Sequence, residues 1–288
     1  NEALRGELPN YLGRLKETEA FIETHPVDEI YCTIPGANSE KISGLLSFAE
    51  KHMIRFYILP DFYRDIKKSM VMEIMEYVPL LSIRNEPLQS ASNRAVKRAF
   101  DILFSSLVML LLYPMLYLVI GLLIKLSSPG PILFKQKRTG LYGKEFDCYK
   151  FRTMRVNKEA DEKQATRDDP RTTPIGAFLR HTNLDEIPQF VNVLKGDMSV
   201  VGPRPHMLKH TEQYSKLIDK YMVRHLVKPG ITGWAQITGY RGETKTLEQM
   251  EGRVKRDVWY IENWSFFLDL KIIYVTVINM FQGEKNAY

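Results

Sequence analysis

Between Ile102 and Ile124 the chain runs ILFSSLVMLLLYPMLYLVIGLLI, a stretch without a single charge. At about 1.5 Å rise per residue such a helix is roughly 34 Å long, enough to cross the hydrocarbon core of a bilayer. Pro114 interrupts it near the middle, where a proline removes one backbone hydrogen bond and kinks the helix. Basic residues flank both ends, with Arg94, Lys97 and Arg98 before it and Lys125, Lys135, Lys137 and Arg138 after it. Lys and Arg collect on the cytoplasmic side of membranes, so this symmetry fits a helix that enters one leaflet, bends at Pro114 and returns. Taken alone, the stretch favours an ordinary spanning helix with a tolerated proline. What lies on either side has to separate the two.

The other residues have the composition of a soluble protein: the 288-residue chain is 44% hydrophobic and 26% charged. A net charge of +6 suits an anionic partner. No RNP-like or zinc-finger pattern occurs, and the basic residues gather beside the apolar stretch. Membrane lipids and phosphorylated substrates are therefore the expected partners, and nucleic acid is not. Cys32 and Cys148 lie in apolar, strand-like runs without metal-type spacing and read as buried reduced thiols. The chain begins at Asn1 without a signal-peptide pattern, and a segment of a longer protein is expected.

From about residue 12 to 85, helix-like and strand-like runs alternate. LGRLKETEAFIE and SEKISGLLSFAEKHM are amphipathic, while EIYCTIP and IRFYILPDF are strand-like. This order predicts a small α/β layer with a parallel sheet, about half of a Rossmann-type unit. It contains neither G-x-G-x-x-G nor a P-loop. The strand end at Ile34-Pro35-Gly36 is a conceivable ligand site, but a structural or dimerising module, joining two copies of the chain, is favoured. The polar run NEPLQSASNRA, Asn85 to Ala95, reads as a linker, and Ser92 or Asn93 as the cap of the apolar helix. The domains are thus an α/β module over 1–90 and a second, mostly helical domain over 91–288, with the membrane helix at about 96–127.

After the hard stop at Ser127–Pro131, ILFKQKRTGLYGKEFDCYKFRTM predicts two strands joined at Leu141-Tyr142-Gly143. Val156 to Arg171 is a charged surface loop or short helix. In the next segment, one helix ends near Arg180, and a second starts near Asn183 and ends at Gly196. Asn183 with Glu186 fits a capping box, which places Asp185 and Glu186 in a first turn where free N–H groups favour carboxylates and anions. Acidic first-turn residues are routine, so these signals alone point to nothing more. In Gly202-Pro203-Arg204-Pro205 two prolines restrict the backbone around an arginine whose planar fork suits a phosphate, although a bare P-R-P is usually only a turn. A helix is predicted from HTEQYSKL through MVRHLV, then a glycine-rich loop whose Trp234 and Tyr240 suit a membrane interface or base stacking. A helix from about Leu247 to Ile261 precedes a last one, whose face Phe266, Phe267, Leu270, Ile273, Tyr274, Val277, Ile278 and Phe281 is interfacial or core, with Trp259 and Trp264 alongside. His181, His206, His210 and His225 have no metal-ligand spacing and receive no role.

Taken together, KRAFDILFS, SSPGPILFKQKRTG, FDCYKFRTM, DDPRTTPIGAFLRHTNLDEIPQFVNVLKGDMSVVGPRP and KPGITGWAQITGYRG resemble the bacterial monotopic polyprenyl-phosphate sugar-phosphate transferases. The resemblance covers about Arg94 to Tyr288; the preceding residues look like the soluble domain that long members carry before the catalytic one. It implies transfer of a sugar 1-phosphate from a nucleotide diphosphate-sugar, typically a UDP-sugar, to undecaprenyl phosphate, at the start of exopolysaccharide, capsule or O-antigen assembly. It also implies a bacterial inner-membrane enzyme with its soluble parts on the cytoplasmic face.

By position within L-D-E-I-P-Q, Asp185 and Glu186 match the family's catalytic dyad, which implies Asp185 as the nucleophile of a covalent phosphosugar intermediate and Glu186 as the residue associated with Mg²⁺. Lys137, Arg138, Lys150, Arg152, Arg180 and Arg204, with Pro203 and Pro205 framing the last, are candidate phosphate-binding residues. Asp169 and Arg171 match a D-D-P-R signature expected to organise the site. One departure stands out. The best-known small members break their membrane helix at Ser-Pro, whereas this chain has Tyr113-Pro114, and Ser105 and Ser106 lie too far upstream to substitute. An ordinary glycosyltransferase is less favoured, since no two aspartates form the D-x-D that those of the usual α/β type often use; a non-catalytic membrane scaffold is the third reading. A crossing would separate the N-terminal module from a catalytic part that needs cytoplasmic nucleotide-sugars, so a re-entrant helix bent near Pro114 is the expectation.

Overall fold

The computed structural model describes residues 17–32, 39–58, 71–75, 78–82, 84–156, 169–242, 244 and 246–282, and the chain divides into two compact units, 1–83 and 84–288.

The first unit contains α1 (Thr18–Thr24), β1 (Glu29–Cys32), α2 (Ser39–Lys51), β2 (Arg55–Ile58), β3 (Val71–Met75) and β4 (Val78–Ser82). Its sheet has the order β1-β2-β4-β3. The crossover through α2 makes β1 and β2 parallel, but β4 runs antiparallel to both β2 and β3. The sheet is therefore mixed, which corrects the expected parallel half-Rossmann arrangement. Only two residues separate β3 from β4, and so short a connection permits only antiparallel pairing. Cys32, Leu45, Leu46, Ala49, Ile54, Phe56 and Ile58 form the core between α2 and the sheet. Ile34-Pro35-Gly36 lies outside the described residues.

In the second unit the apolar stretch forms two helices, α3 (Ala91–Leu111) and α4 (Tyr113–Ser127), bent by 56° at Leu112. Pro114 occupies the first turn of α4, where its missing N–H has no partner to lose. No single described helix is long and apolar enough to cross a membrane. Leu103, Leu110, Met115, Leu118 and Leu126 are each more than 70% exposed, so the bent pair presents an apolar surface that water does not stabilise. The helix starts behind Ser90, earlier than Ser92 or Asn93, and Asn93 instead donates to the Pro87 carbonyl at 2.7 Å.

Two of the flanking cations do not face outward. Lys97 is buried against Asp269 at 2.6 Å, and Arg98 donates to the Val193 and Leu194 carbonyls at 2.6 and 2.8 Å. The basic flank before the bend is thus partly an internal anchor.

Next, β5 (Leu133–Thr139) and β6 (Glu145–Phe151) form the expected hairpin, in register from Leu133 opposite Phe151 to Thr139 opposite Glu145. Helix α5 (Pro174–Thr182) is capped by Thr173, whose hydroxyl accepts from the Gly176 N–H at 3.0 Å. A Cβ on Gly176 would fall 1.9 Å from the Thr153 carbonyl oxygen, so the absent side chain lets α5 sit directly on the strand end. Then come α6 (Gln189–Lys195), closed by left-handed Gly196, β7 (Ser199–Val201), α7 (Leu208–Leu217), β8 (Gly230–Thr232), α8 (Trp234–Ile237), α9 (Leu247–Glu262) and α10 (Phe266–Gln282). Val193, Met198, Val201, Val223, Met250, Ile261 and Ile272 fill the core they share.

Three expectations change here. The helix predicted from residue 210 to 227 stops at Leu217, and after left-handed Lys220 continues as a 3₁₀ turn over Tyr221–Leu226. Trp234 stacks on Trp259 at 4.6 Å and Tyr240 lies beneath Arg256 at 3.9 Å, so both loop aromatics have partners within the protein. Helix α10 is both core and surface: Asp269 and Ile272 are buried, while Phe267, Leu270, Tyr274 and Val277 form an exposed apolar stripe. Trp264, expected beside that face, is buried and donates to Asp269 at 3.0 Å.

Candidate active site

The dyad does not open an α-helix. Asn183 takes a left-handed conformation (φ 58°) as it ends α5, and Leu184–Glu186 form one 3₁₀ turn before α6. Asn183 makes no capping bond and accepts instead from Arg241. Leu184 and Ile187 on either side of the dyad pack into an apolar cluster with Tyr117, Ile120 and Ile124 of α4. This packing fixes the acidic turn against the second half of the bent pair.

Side-chain cations, rather than a helix terminus, set the charge state of the dyad. Lys150, on β6, donates to Glu186 Oε1 at 2.6 Å and stands 3.7 Å from Asp185 Oδ2. Arg204 grips Glu186 through both terminal nitrogens, at 2.7 and 3.3 Å. Burial would raise both carboxyls, but Arg204 and Lys150 overcome it at Glu186 and hold that group well below the usual carboxylate range. Asp185 has the weaker share of Lys150 and the negative Glu186 beside it, and burial leaves its carboxyl raised. Adjacent carboxyls thus differ in kind: Glu186 is held as an anion, and Asp185 keeps the greater proton affinity.

The dyad faces a cavity of about 330 Å³, a size typical of small-molecule sites. Among the described residues, nine lysines and arginines line it against two carboxylates, Asp185 and Glu186. Such an excess in a confined, partly desolvated space favours a polyanion. Of the candidate phosphate-binding residues, Arg138, Lys150, Arg152, Arg171, Arg180, Arg204 and Pro205 are in the wall.

Their parts differ. Arg180 Nε donates to the Thr153 hydroxyl at 2.9 Å. Arg138 donates to Gln136 and, at 3.4 Å, to the Pro205 carbonyl. Asp169 does not line the cavity; it holds Arg171 through bonds of 2.9 and 2.7 Å and so orients it. Arg152 directs its guanidinium to Ser128, Pro129 and Pro131 at 2.7 to 2.9 Å, tying the end of α4 to the site. Pro203 lies behind the wall, its carbonyl accepting from the Gly230 N–H at 2.9 Å. A Cβ on Gly230 would fall 2.0 Å from the Gly202 nitrogen, so the loop carrying Arg204 docks on β8 only because both positions are glycine.

Lys137 is the correction. It is outside the cavity and pairs with Glu145 at 3.1 Å on the exposed face of the hairpin. Successive strand residues face opposite sides, so Phe134, Gln136 and Arg138 point to the cavity while Lys137 points away.

Arg155, Arg241, Arg253, His206 and His210 line the cavity without having been expected to. Arg241 carried a usable signal, since it stands before a glycine in G-Y-R-G much as Arg204 stands between prolines. Burial, with Arg224 and Arg253 nearby, holds His206 well below its usual pKa, so it is a neutral imidazole. The histidines approach from one helix and one loop, a juxtaposition that spacing alone does not reveal.

The chain matches the bacterial sugar transferase family over residues 92–283. It is 44% identical over 281 residues to the UDP-glucose:undecaprenyl-phosphate glucose-1-phosphate transferase of Escherichia coli K12, covering 97% of this chain and 60% of that protein. A transferase of the same name from Caulobacter vibrioides is 44% identical over 211 residues, 73% of this chain and 78% of that one. The exopolysaccharide production protein PSS of Rhizobium leguminosarum is 47% identical over 189 residues, 64% of this chain and 94% of its own length. The chain thus spans about 60% of the Escherichia coli relative and nearly all of the shorter Rhizobium one. The cation-lined cavity and its paired carboxylates lie within the matched residues, and the chain belongs to the bacterial sugar transferase family.

Proposed function

We propose that this chain transfers a sugar 1-phosphate from a UDP-sugar to undecaprenyl phosphate, and that glucose is the sugar. The observation that carries this reading is the unequal dyad, a nucleophilic Asp185 beside a cation-clamped Glu186, facing a cavity suited to phosphates. The names of the relatives from Escherichia coli and Caulobacter vibrioides support the substrates and favour glucose among the sugars.

In the first step an ionised oxygen of Asp185 attacks the β-phosphorus of the UDP-sugar. The bond from that phosphorus to the bridging oxygen breaks, and UMP leaves with the electron pair. Asp185 then carries the sugar phosphate as an acyl phosphate. In the second step a phosphate oxygen of undecaprenyl phosphate attacks the same phosphorus, and the Asp185 carboxylate is restored. Arg204, Lys150 and Arg180 neutralise the phosphates that an anionic nucleophile must approach.

Asp185 and Glu186 suit Mg²⁺, a hard cation commonly held by one or two carboxylates together with substrate phosphates. Both carboxylates are buried at the cavity and offer oxygen donors only. Glu186 and Asp185 would hold the ion, and its chemistry there is to offset phosphate charge.

The bent pair α3–α4 is read as re-entrant, with both ends on the cytoplasmic face of the inner membrane and Asp185 near headgroup level. The 56° bend, the exposed leucines and the packing of the dyad turn on α4 support this. Cysteines at Arg94 and Lys135 should label from the same face, and labelling from opposite faces would overturn it. The reaction itself is tested with membranes given UDP-glucose and undecaprenyl phosphate: release of UMP supports the proposal. Release of UDP points to an ordinary glycosyltransferase, and release of neither to a scaffold.

A further inference from the structure

Two cavity loops are held from behind by one buried ionic node. Arg224 Nη2 donates to the Arg204 carbonyl at 2.7 Å and stands 2.8 Å from the Asp257 carboxylate. The Arg224 and Asp257 side chains are 1% and 2% exposed, and neither lines the cavity. One turn earlier on α9, Arg253 donates to the Tyr240 carbonyl at 3.0 Å and to the Gly242 carbonyl at 2.7 Å, on either side of Arg241. His206 Nε2 lies 3.0 Å from Arg224 Nη1 and 3.4 Å from Arg253 Nη1, between the two branches. Arg224 touches the Asp257 carboxylate directly, and Arg253 lies four residues earlier on the same face of α9; burial pushes that carboxyl up and both arginines pull it down.

A buried ionic cluster of this kind is rarely the most stable filling of its space, since apolar side chains of similar volume stabilise as well or better. What it does supply is direction. Each arginine donates to backbone carbonyls of a loop that presents another arginine to the cavity. We propose that Asp257 and Arg224 are positioning residues: they fix the backbone of Arg204, and through Arg253 that of Arg241, so that two guanidinium groups meet one diphosphate at a set spacing. This rests on the reading of the cavity as the UDP-sugar site.

The test is a mutant cycle read as affinity for UDP, by calorimetry on the whole chain in lipid nanodiscs. Asp257→Asn should weaken UDP binding about tenfold in the otherwise native protein, as expected when one oriented charge-assisted contact is lost. In the Arg204→Ala/Arg241→Ala background the same change should cost less than about twofold, because residues acting through one another are non-additive. An equal loss in both backgrounds, or native affinity in Asp257→Asn, overturns the proposal. If Asp257→Asn lowers Tm enough to prevent folding, Arg224→Lys carries the same cycle; it keeps the charge on a shorter side chain without the planar fork. A native chain that binds UDP but releases no UMP contradicts the proposed reaction and leaves the cycle readable, whereas one that does not bind UDP contradicts both.

Discussion

Arg204 reaches Glu186 with both terminal nitrogens, at 2.7 and 3.3 Å, from eighteen residues further along the chain. That grip makes the two neighbouring carboxyls unequal. It engages the charge of Glu186 and leaves Asp185 the more distant contact with Lys150, at 3.7 Å, as the proposed nucleophile requires.

The first prediction follows from the opposite pKa displacements. Asp185 is raised above its unfolded value, so its ionised form costs stability at neutral pH. Asp185→Asn should therefore raise Tm, by roughly 2–4 °C if about 1 kcal/mol is relieved, while UMP release falls to background. Glu186 is depressed, so its ionised form contributes stability above its unfolded pKa. Glu186→Gln should lower Tm and leave Arg204 and Lys150 without their anion. Calorimetric scans at pH 7 check both, and equal shifts of one sign would contradict the division.

The hairpin pleat separates two lysines. Lys137→Ala should change kcat/KM by less than about twofold, because its partner Glu145 is an exposed surface contact. Lys150→Ala should reduce kcat/KM by about 100-fold or more, the scale found for removing one preorganised charge from a reaction site. Steady-state UMP release over a range of UDP-glucose concentrations distinguishes them.

How much of this was legible in the sequence differs by element. The hairpin, α9 and the left-handed end at Gly196 follow from turn residues and periodicity, and the structure contains them. The dyad and Arg204 were visible as motif residues. Their mutual contact was not, because it joins two loops through the glycine pair Gly202 and Gly230. Periodicity could not see the mixed N-terminal sheet, since strand direction depends on which strand inserts beside β2. In the sequence Lys97 and Arg98 are simply part of the basic flank before the apolar helix. Burial against Asp269 and the end of α6 is a tertiary fact.

Acid should destabilise the second unit through its buried histidines. His225 is pulled down to about 3 and His206 is also depressed, both by burial and then by Arg224. Between such a folded value and an unfolded pKa of about 6.5 the unfolded chain binds more protons, so stability rises with pH there and falls as pH drops from about 6.5. Each buried neutral histidine contributes up to about 1.4 kcal/mol per pH unit in that window. Denaturant midpoints between pH 7 and 5 should fall, and His225→Gln should flatten the slope. A pH-independent midpoint would contradict the burial of a neutral ring.

Pro114→Ala tests the bend. If the proline holds α3 and α4 at 56°, alanine lets part of the population straighten, and cysteines at Arg94 and Lys135 then label from opposite faces. UMP release should fall in proportion. Unchanged labelling and activity would instead assign the bend to the packing of α4 on the dyad turn.

The most direct measurement is the intact mass of the purified chain after incubation with UDP-glucose and Mg²⁺ but without undecaprenyl phosphate. The account predicts an added hexose phosphate mapped to Asp185, absent in Asp185→Asn, which disappears when undecaprenyl phosphate is supplied. A chain that forms lipid-linked product and releases UMP, yet never carries the adduct and retains activity as Asp185→Asn, would contradict it.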